Sequence, residues 1–151
     1  MNFDTEPQKD CFERIWPWMK ELFGQFAHAH DEQPAIAVVL GSCVAQVAVH
    51  AWGDDDASIT TRAWVVRGVD VVPELMSYLL HENDRMRFGA FGLDSDNDVF
   101  FEHTIVGSTC DMEELRSSVT AVVTTADRYD DDLVARYGGR RALDLPGLDL
   151  P

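Results

Sequence analysis

The sequence predicts a single α+β domain, in which one antiparallel sheet of about five strands carries its helices mainly on one face. Strand and helix patterns follow the order α-β-β-β-α-β-β-α, with strands segregated from helices and joined by short turns. Hydrophobic residues make up 46% of the 151 residues, which is enough for one core. We expect this domain to span residues 1–139, followed by an extended Pro/Leu-rich tail over residues 140–151, "RRALDLPGLDLP".

Three segments have helical spacing of apolar residues. The first covers residues 10–29 and contains Pro17, which predicts a kink or a restart of the helix at that point. The second begins at Pro73, where a missing backbone N–H costs nothing. The third is long, with Asp111 as its N-cap and Gly138 as the residue that ends it.

Five segments have strand character, and the first three predict an antiparallel meander. The predicted strands cover residues 35–40, 44–52, 58–66, 86–93 and 99–106. The third, "SITTRAWVV", alternates so that Ile59 and Ala63 share one face while Arg62 and Trp64 share the other. One face of the sheet should therefore pack under the helices and leave the other free for a partner.

The charge balance argues against polyanionic partners. Twelve basic residues oppose 27 acidic ones, for a net charge of −15, so nucleic acids and anionic membrane surfaces would be repelled. The three cysteines, Cys11, Cys43 and Cys110, are dispersed, which is typical of reduced thiols. The N-terminal segment has no pattern of a secretory signal, and no apolar run approaches the roughly 20 residues of a membrane span. We expect a soluble cytoplasmic protein.

The segment "DSDND" places Asp94, Asp96 and Asp98 in the alternation of calcium ligands in an EF-hand loop. Such a loop needs Gly at position six and Glu at position twelve, and Val99 and Ile105 stand there instead. Both flanks also have strand character rather than helical character. The segment therefore predicts a hairpin turn, with a divalent-ion sensor as a minor alternative.

No catalytic, metal-binding or cofactor-binding set emerges from the sequence. The histidines lack the spacing of zinc ligands, and the chain contains no G-x-S-x-G nucleophile motif and no phosphate-binding loop. We therefore expect no catalytic residue, no metal and no cofactor. The alternative function is a small-molecule binder or enzyme that uses a pocket near Cys43, His50 and His103.

The candidate binding residues lie on the more polar strand faces. Aromatic residues and Arg are the usual anchors of protein interfaces, and they occur here together with a His and a Glu. The predicted partner-binding residues are His50, Trp52, Arg62, Trp64 and Glu102. The alternative interpretation is that the first helix covers both tryptophans, because face parity between strands is not fixed by sequence.

Three motifs in the second half of the chain resemble the YbjN family of proposed bacterial sensory transduction regulators. They are "LLHEN" at 79–83, "FGAFGLDSDNDVFFEHTI" at 88–105 and "TADRYDDDLVARYGG" at 125–139. Asn83 and Asp127 match family positions, and both are interpreted as structural. That family is similar in fold to the specialised chaperones of type III secretion.

The resemblance implies a domain that is often dimeric and has no known catalytic residues. Chaperones of this shape bind an extended segment of a client protein through apolar patches on the sheet side. We therefore expect a non-enzymatic, chaperone-like or regulatory domain that forms a homodimer and captures a segment of a partner protein, with acidic residues steering basic clients.

Overall fold

One antiparallel sheet of seven strands organises the fold. The structure is a computed structural model that describes residues 1–41 and 43–142. The helices are α1 (Glu6–Phe23), α2 (Pro73–Arg85) and α3 (Met112–Tyr137). The strands are β1 (Ala27–Ala29), β2 (Ala35–Leu40), β3 (Cys43–Trp52), β4 (Asp56–Arg67), β5 (Ala90–Leu93), β6 (Val99–Val106) and β7 (Arg140–Arg141). The predicted α+β class is confirmed, with two more strands than expected.

Helix α1 begins and ends earlier than its apolar spacing predicts. The hydroxyl of Thr5 accepts a hydrogen bond from the amide of Gln8, so the helix starts at Glu6. It continues through Pro17 without restarting and ends at Gly24, whose φ is 55°. A short 3₁₀ turn then leads into β1, a strand that the sequence prediction assigned to the helix.

Local signals fix α2 and α3 as predicted. Pro73 is the first residue of α2. The carboxylate of Asp111 accepts a hydrogen bond of 2.8 Å from the amide of Glu114, and α3 ends where Gly138 takes a φ of 76°.

The strand order is β1-β2-β3-β4-β6-β5, with β7 paired to β4. The predicted meander is present, since β2, β3 and β4 are consecutive antiparallel neighbours. A register shift between Trp64 and Val66 turns Val66 inward, so this residue joins the core rather than continuing the alternation. Beyond the shift, Arg140 lies opposite Arg67.

The helices lie on the face of the sheet that carries Val47, Ile59 and Phe101. These residues are fully buried against apolar residues of α1 and α3, such as Ile15 and Leu115. Arg62 and the other residues at alternate positions point to the opposite face, away from the helices. Within residues 1–41 and 43–142, no helix covers this opposite face of the sheet.

The predicted hairpin between β5 and β6 depends on two glycines. A Cβ at Gly89 would lie 2.4 Å from the carbonyl oxygen of Glu102, and one at Gly92 would lie 2.4 Å from the ring of Phe100. Asn97 takes a φ of 65° at the tip. The glycines therefore relieve crowding within the hairpin.

Candidate functional site

The uncovered side of the sheet, here called the open face, carries all five predicted partner-binding residues. They lie at alternate positions of β3, β4 and β6, where Arg62 is opposite Glu102 and Trp64 is opposite Phe100. The open face is defined by His50, Trp52, Arg62, Trp64, Phe100 and Glu102. The register thus brings onto one face the residues that the sequence assigned to the more polar strand faces, and their role in binding stays a prediction.

Arg62 is at the centre of the open face. Its Nε donates to the Glu102 carboxylate at 2.8 Å, and its guanidinium lies 4.0 Å from the centroid of the Phe100 ring. The Arg62 and Glu102 side chains are about one-third exposed, at 34% and 31%. Because this ion pair is directly cross-strand, it orders two charged side chains above an aromatic ring without burying either.

Trp64 connects the open face to the acidic turn. Its indole Nε1 donates to Asp94 at 2.9 Å, while the other Asp94 oxygen accepts the amides of Asp96 and Asp98 at 2.9 Å each. Burial alone would raise the pKa of Asp94, but these three hydrogen bonds and the charge of Arg67 outweigh it and lower the pKa. The turn prediction for this segment is confirmed, and the Asp94 carboxylate holds the turn together by accepting these three hydrogen bonds.

The two tryptophans differ in exposure. Trp52 is 57% exposed at the end of β3, and Trp64 is half-buried beside Arg67, whose guanidinium lies 5.1 Å from its ring centroid. Helix α1 packs on the other face through residues such as Ile15. The alternative in which the first helix covers both tryptophans is therefore wrong.

A second apolar surface lies on α2, and the sequence analysis did not assign it to binding. Val72, Met76 and Leu80, here called the α2 ridge, are exposed by 36%, 42% and 69%. The ridge borders a groove of about 230 Å³ whose other lining residues include Phe91 and Leu93 of β5. The signal was an apolar stripe on α2 wider than one packing contact needs, because Met76 and Leu80 each follow a buried leucine.

Asn83 fixes α2 to the outer edge of the sheet. Its carboxamide oxygen accepts the Phe91 amide at 2.7 Å, and its nitrogen donates to the Phe91 carbonyl at 3.1 Å. The side chain therefore takes the place that one residue of a further strand would occupy beside β5. The structural interpretation of Asn83 in "LLHEN" is consistent with this geometry.

The structure separates the residues of the alternative pocket. His50 lies on the open face, whereas Cys43 and His103 point to the helix side from strands that are not neighbours. The His103 ring bonds Ser118 of α3 at 2.9 Å. Burial, with the charges of Asp127 and Asp130, raises the pKa of the Cys43 thiol to about 12, so it is not a thiolate near neutral pH. The prediction of a pocket shared by these three residues is wrong.

Two further observations concern metals and membranes. Within residues 1–41 and 43–142, no group of three or more His, Cys, Asp or Glu side chains is placed to hold a metal ion. None of the helices in these ranges is long and apolar enough to span a bilayer.

The sequence matches one family profile over residues 12–145. The family is described as TY-Chap1: T3SS (YopN, CesT) and YbjN peptide-binding chaperone 1. No curated protein matches the chain in sequence.

Several solved structures share the fold. One is the ExsC–ExsE complex, with a TM-score of 0.66, 14% identity, and coverage of 85% of this chain and 96% of that chain. Another is the HopA1–SchA chaperone–effector complex, with a TM-score of 0.61, 8% identity, and coverage of 82% and 96%. A third is the Yersinia pestis type III secretion chaperone SycH with a stable fragment of YscM2, with a TM-score of 0.51, 18% identity, and coverage of 80% and 98%.

Proposed function

Because the chain belongs to the TY-Chap1 family of type III secretion and YbjN peptide-binding chaperones, we propose that it binds a segment of a partner protein on the open face. The fold is that of chaperones solved with bound effector proteins or fragments, which supports a protein client rather than a small substrate. The proposed activity is non-enzymatic capture in the cytoplasm, without a nucleic acid or a membrane as partner.

The observation that carries the proposal is the arrangement of side chains on the open face. Exposed Trp52 and half-buried Trp64 offer aromatic surface on rigid strands, and the Arg62–Glu102 pair lies between them and supplies polar partners for a bound backbone. Aromatic residues and Arg provide most of the binding energy in protein interfaces. Trp52 is opposite Asp56, so it lies roughly 26 Å from Trp64 along the strands. An extended segment of about eight residues that runs along β4 would contact all of them.

The α2 ridge serves as the contact of a homodimer in this proposal. Val72, Met76 and Leu80 are spaced four residues apart, so they form one ridge along the helix that a second copy can pack against. A two-fold interface uses the same patch on both subunits, as a single apolar ridge allows. The open face then stays free for the client.

The binding proposal is tested by affinity purification of the tagged full chain from its native cells. Trp52→Ser should lose the co-purifying client, whereas Phe88→Ser, a change to a 49% exposed aromatic residue whose ring contacts His103 on the helix side, should retain it. A client that both variants retain would contradict the placement on the open face. The absence of any client from the wild-type purification would contradict the function itself.

The dimer proposal is tested by light scattering after size-exclusion chromatography. Leu80→Gln should shift the mass to a monomer, and the matched control Arg85→Gln, a 75% exposed position on the same helix, should not. A wild-type chain that is already monomeric would refute this part of the proposal and leave client binding untouched.

A further inference from the structure

Two arginines stand opposite each other at the end of the open face. Arg67 of β4 pairs with Arg140 of β7, and directly opposite residues of antiparallel strands have Cβ atoms about 5 Å apart. Glycine at position 139 permits this close approach of the two strands, because a Cβ there would lie 2.6 Å from the Arg67 carbonyl oxygen. Like charges in this position are destabilising unless an anion compensates them.

The arginines border a cavity of about 510 Å³ together with Gly68, Asp98 and Gly139. The cavity continues the open face, because the Arg67 guanidinium lies over the Trp64 ring at 5.1 Å. A segment that lies across Trp64 therefore reaches the two guanidinium groups.

The donors at this cavity exceed the acceptors. The Nε of Arg67 is buried without a hydrogen-bond partner, since the nearest carboxylate oxygen, on Asp98, is 3.9 Å away. One Asp98 oxygen accepts from the amide of Gly68 at 2.8 Å, and the other forms only this long ion pair with Arg67 in the part of the chain that the structure describes. Arg140 is exposed and forms no side-chain hydrogen bond or ion pair with the described residues. Each guanidinium carries five N–H donors, so most of them are available.

The carboxylate of Asp94, the other acidic group near Arg67, is also engaged. Its two oxygens already accept the Trp64 indole and the amides of Asp96 and Asp98. It lowers the positive potential at Arg67 without using the free donors. A planar anion that accepts two parallel hydrogen bonds fits what remains.

We propose that Arg67 and Arg140 bind a carboxylate side chain of the partner segment on the open face. This inference rests on the proposed function, and it specifies that function by giving the client segment an Asp or Glu next to the residue that stacks on Trp64. An unmodified protein segment carries no other side-chain anion near neutral pH. The chain as a whole is strongly acidic and would repel an acidic segment. The site therefore binds a negatively charged side chain in spite of the net charge of the protein.

The test is selection of random twelve-residue peptides on phage against the full chain. The wild type and the control Arg116→Gln, an exposed arginine paired with Glu113 on α3, should enrich Asp and Glu over the input library. Arg67→Gln and Arg140→Gln should lose that enrichment. Because Arg140 is exposed, its variant keeps the test valid even if Arg67→Gln disturbs the packing of Trp64.

The selected peptide with the highest affinity is then made with its acidic residue intact and as the amide. The amide form should bind the wild type about tenfold more weakly by calorimetry, and Arg140→Gln should bind both forms equally weakly. A persistent preference of Arg140→Gln for the acidic peptide, or selected peptides without acidic residues, would overturn the inference while leaving peptide binding in place. Failure to select any peptide would overturn the proposed function itself.

Two other occupants give different results. If inorganic phosphate binds the wild type as tightly as the peptide does, the cavity is a site for a free anion. If Arg140→Gln changes the oligomeric mass, the occupant is a carboxylate of a second copy. Either outcome overturns the assignment to the client.

Discussion

Truncation of Asn83 to alanine is expected to weaken the attachment of α2 to the sheet edge. The side chain makes two hydrogen bonds to the backbone of Phe91, at 2.7 and 3.1 Å, and Phe91 is only 7% exposed. In Asn83→Ala both backbone groups lose their partner. Because an unpaired buried amide or carbonyl retains its desolvation cost, the loss exceeds that of an exposed hydrogen bond.

Each of these hydrogen bonds contributes about 1 kcal/mol, so Asn83→Ala should lower the free energy of unfolding by about 2 kcal/mol. For a chain of this size that corresponds to a decrease in Tm of about 4–8 °C. Asn83→Asp keeps the acceptor but directs a carboxylate oxygen at the Phe91 carbonyl. It should destabilise the chain at least as much as alanine at pH 7, which separates hydrogen bonding from side-chain volume.

Urea unfolding followed by circular dichroism measures both variants. Gln25→Ala, the same kind of truncation at an exposed amide that follows α1, is the control and should change the free energy of unfolding by less than about 0.5 kcal/mol. A decrease below about 0.5 kcal/mol in Asn83→Ala, or an Asp variant as stable as the wild type, would refute the argument that Asn83 secures this edge.

Three more expectations follow from single positions. Gly89→Ala should lower the free energy of unfolding in urea by about 2–4 kcal/mol, because the new Cβ clashes with the Glu102 carbonyl and the residue has a positive φ. The control Gly53→Ala has a positive φ but no clash, and it should lower the free energy of unfolding by about 1–2 kcal/mol. Thr61→Val should raise the free energy of unfolding by about 1 kcal/mol, since the Thr61 hydroxyl is buried without a hydrogen-bond partner among the described residues; a loss of stability would contradict this. Burial, aided by neighbouring acidic charges, raises the pKa of Asp130, so ionisation of this carboxyl destabilises the fold. Asp130→Asn should therefore be more stable than the wild type above about pH 4 and equally stable below it. A difference in stability that does not depend on pH would contradict the raised pKa.

The elements that sequence predicted best are those with local signals. Helix α3 follows Asp111 and ends before Gly138, as predicted, because capping by a carboxylate and the left-handed conformation of glycine depend only on nearby residues. Strand β6 matches the predicted range 99–106, since hairpin alternation with β5 is also local. These features need no knowledge of the rest of the chain.

The two strands that the sequence analysis missed are very short. Strand β1 has three residues and pairs with β2, and β7 has two residues and pairs with β4, more than seventy positions earlier in the chain. Segments this short have no period to detect, so helical spacing extended over β1 without contradiction. Residues 143–151 of the predicted tail lie outside the described residues, and their extended form stays a prediction.

The candidate site was predictable in composition but not in position. Alternation assigned Arg62 and Trp64 to one strand face, and the cross-strand register placed Glu102 opposite Arg62 and Trp52 on the same face at the other end of β4. Which face the helices cover depends on how α1 and α3 pack, and sequence parity alone does not determine that. Arg67 escaped notice because unbroken alternation would place it on the helix side, and the register shift after Trp64 brings it to the open face instead.

Net charge and local charge lead to different expectations about the client. A net charge of −15 favours the approach of basic segments, but at physiological salt a charge is screened beyond about 8 Å. Contact chemistry on the open face is therefore decided by its own side chains. There Arg62 is paired with Glu102, the only ion pair of Arg67 is a 3.9 Å one with Asp98, and Arg140 has no side-chain partner among the described residues. A client whose basic residues favour its approach and whose acidic residue contacts the arginines agrees with both expectations. Because salt screens the long-range attraction, it should slow association of this client more than it speeds dissociation.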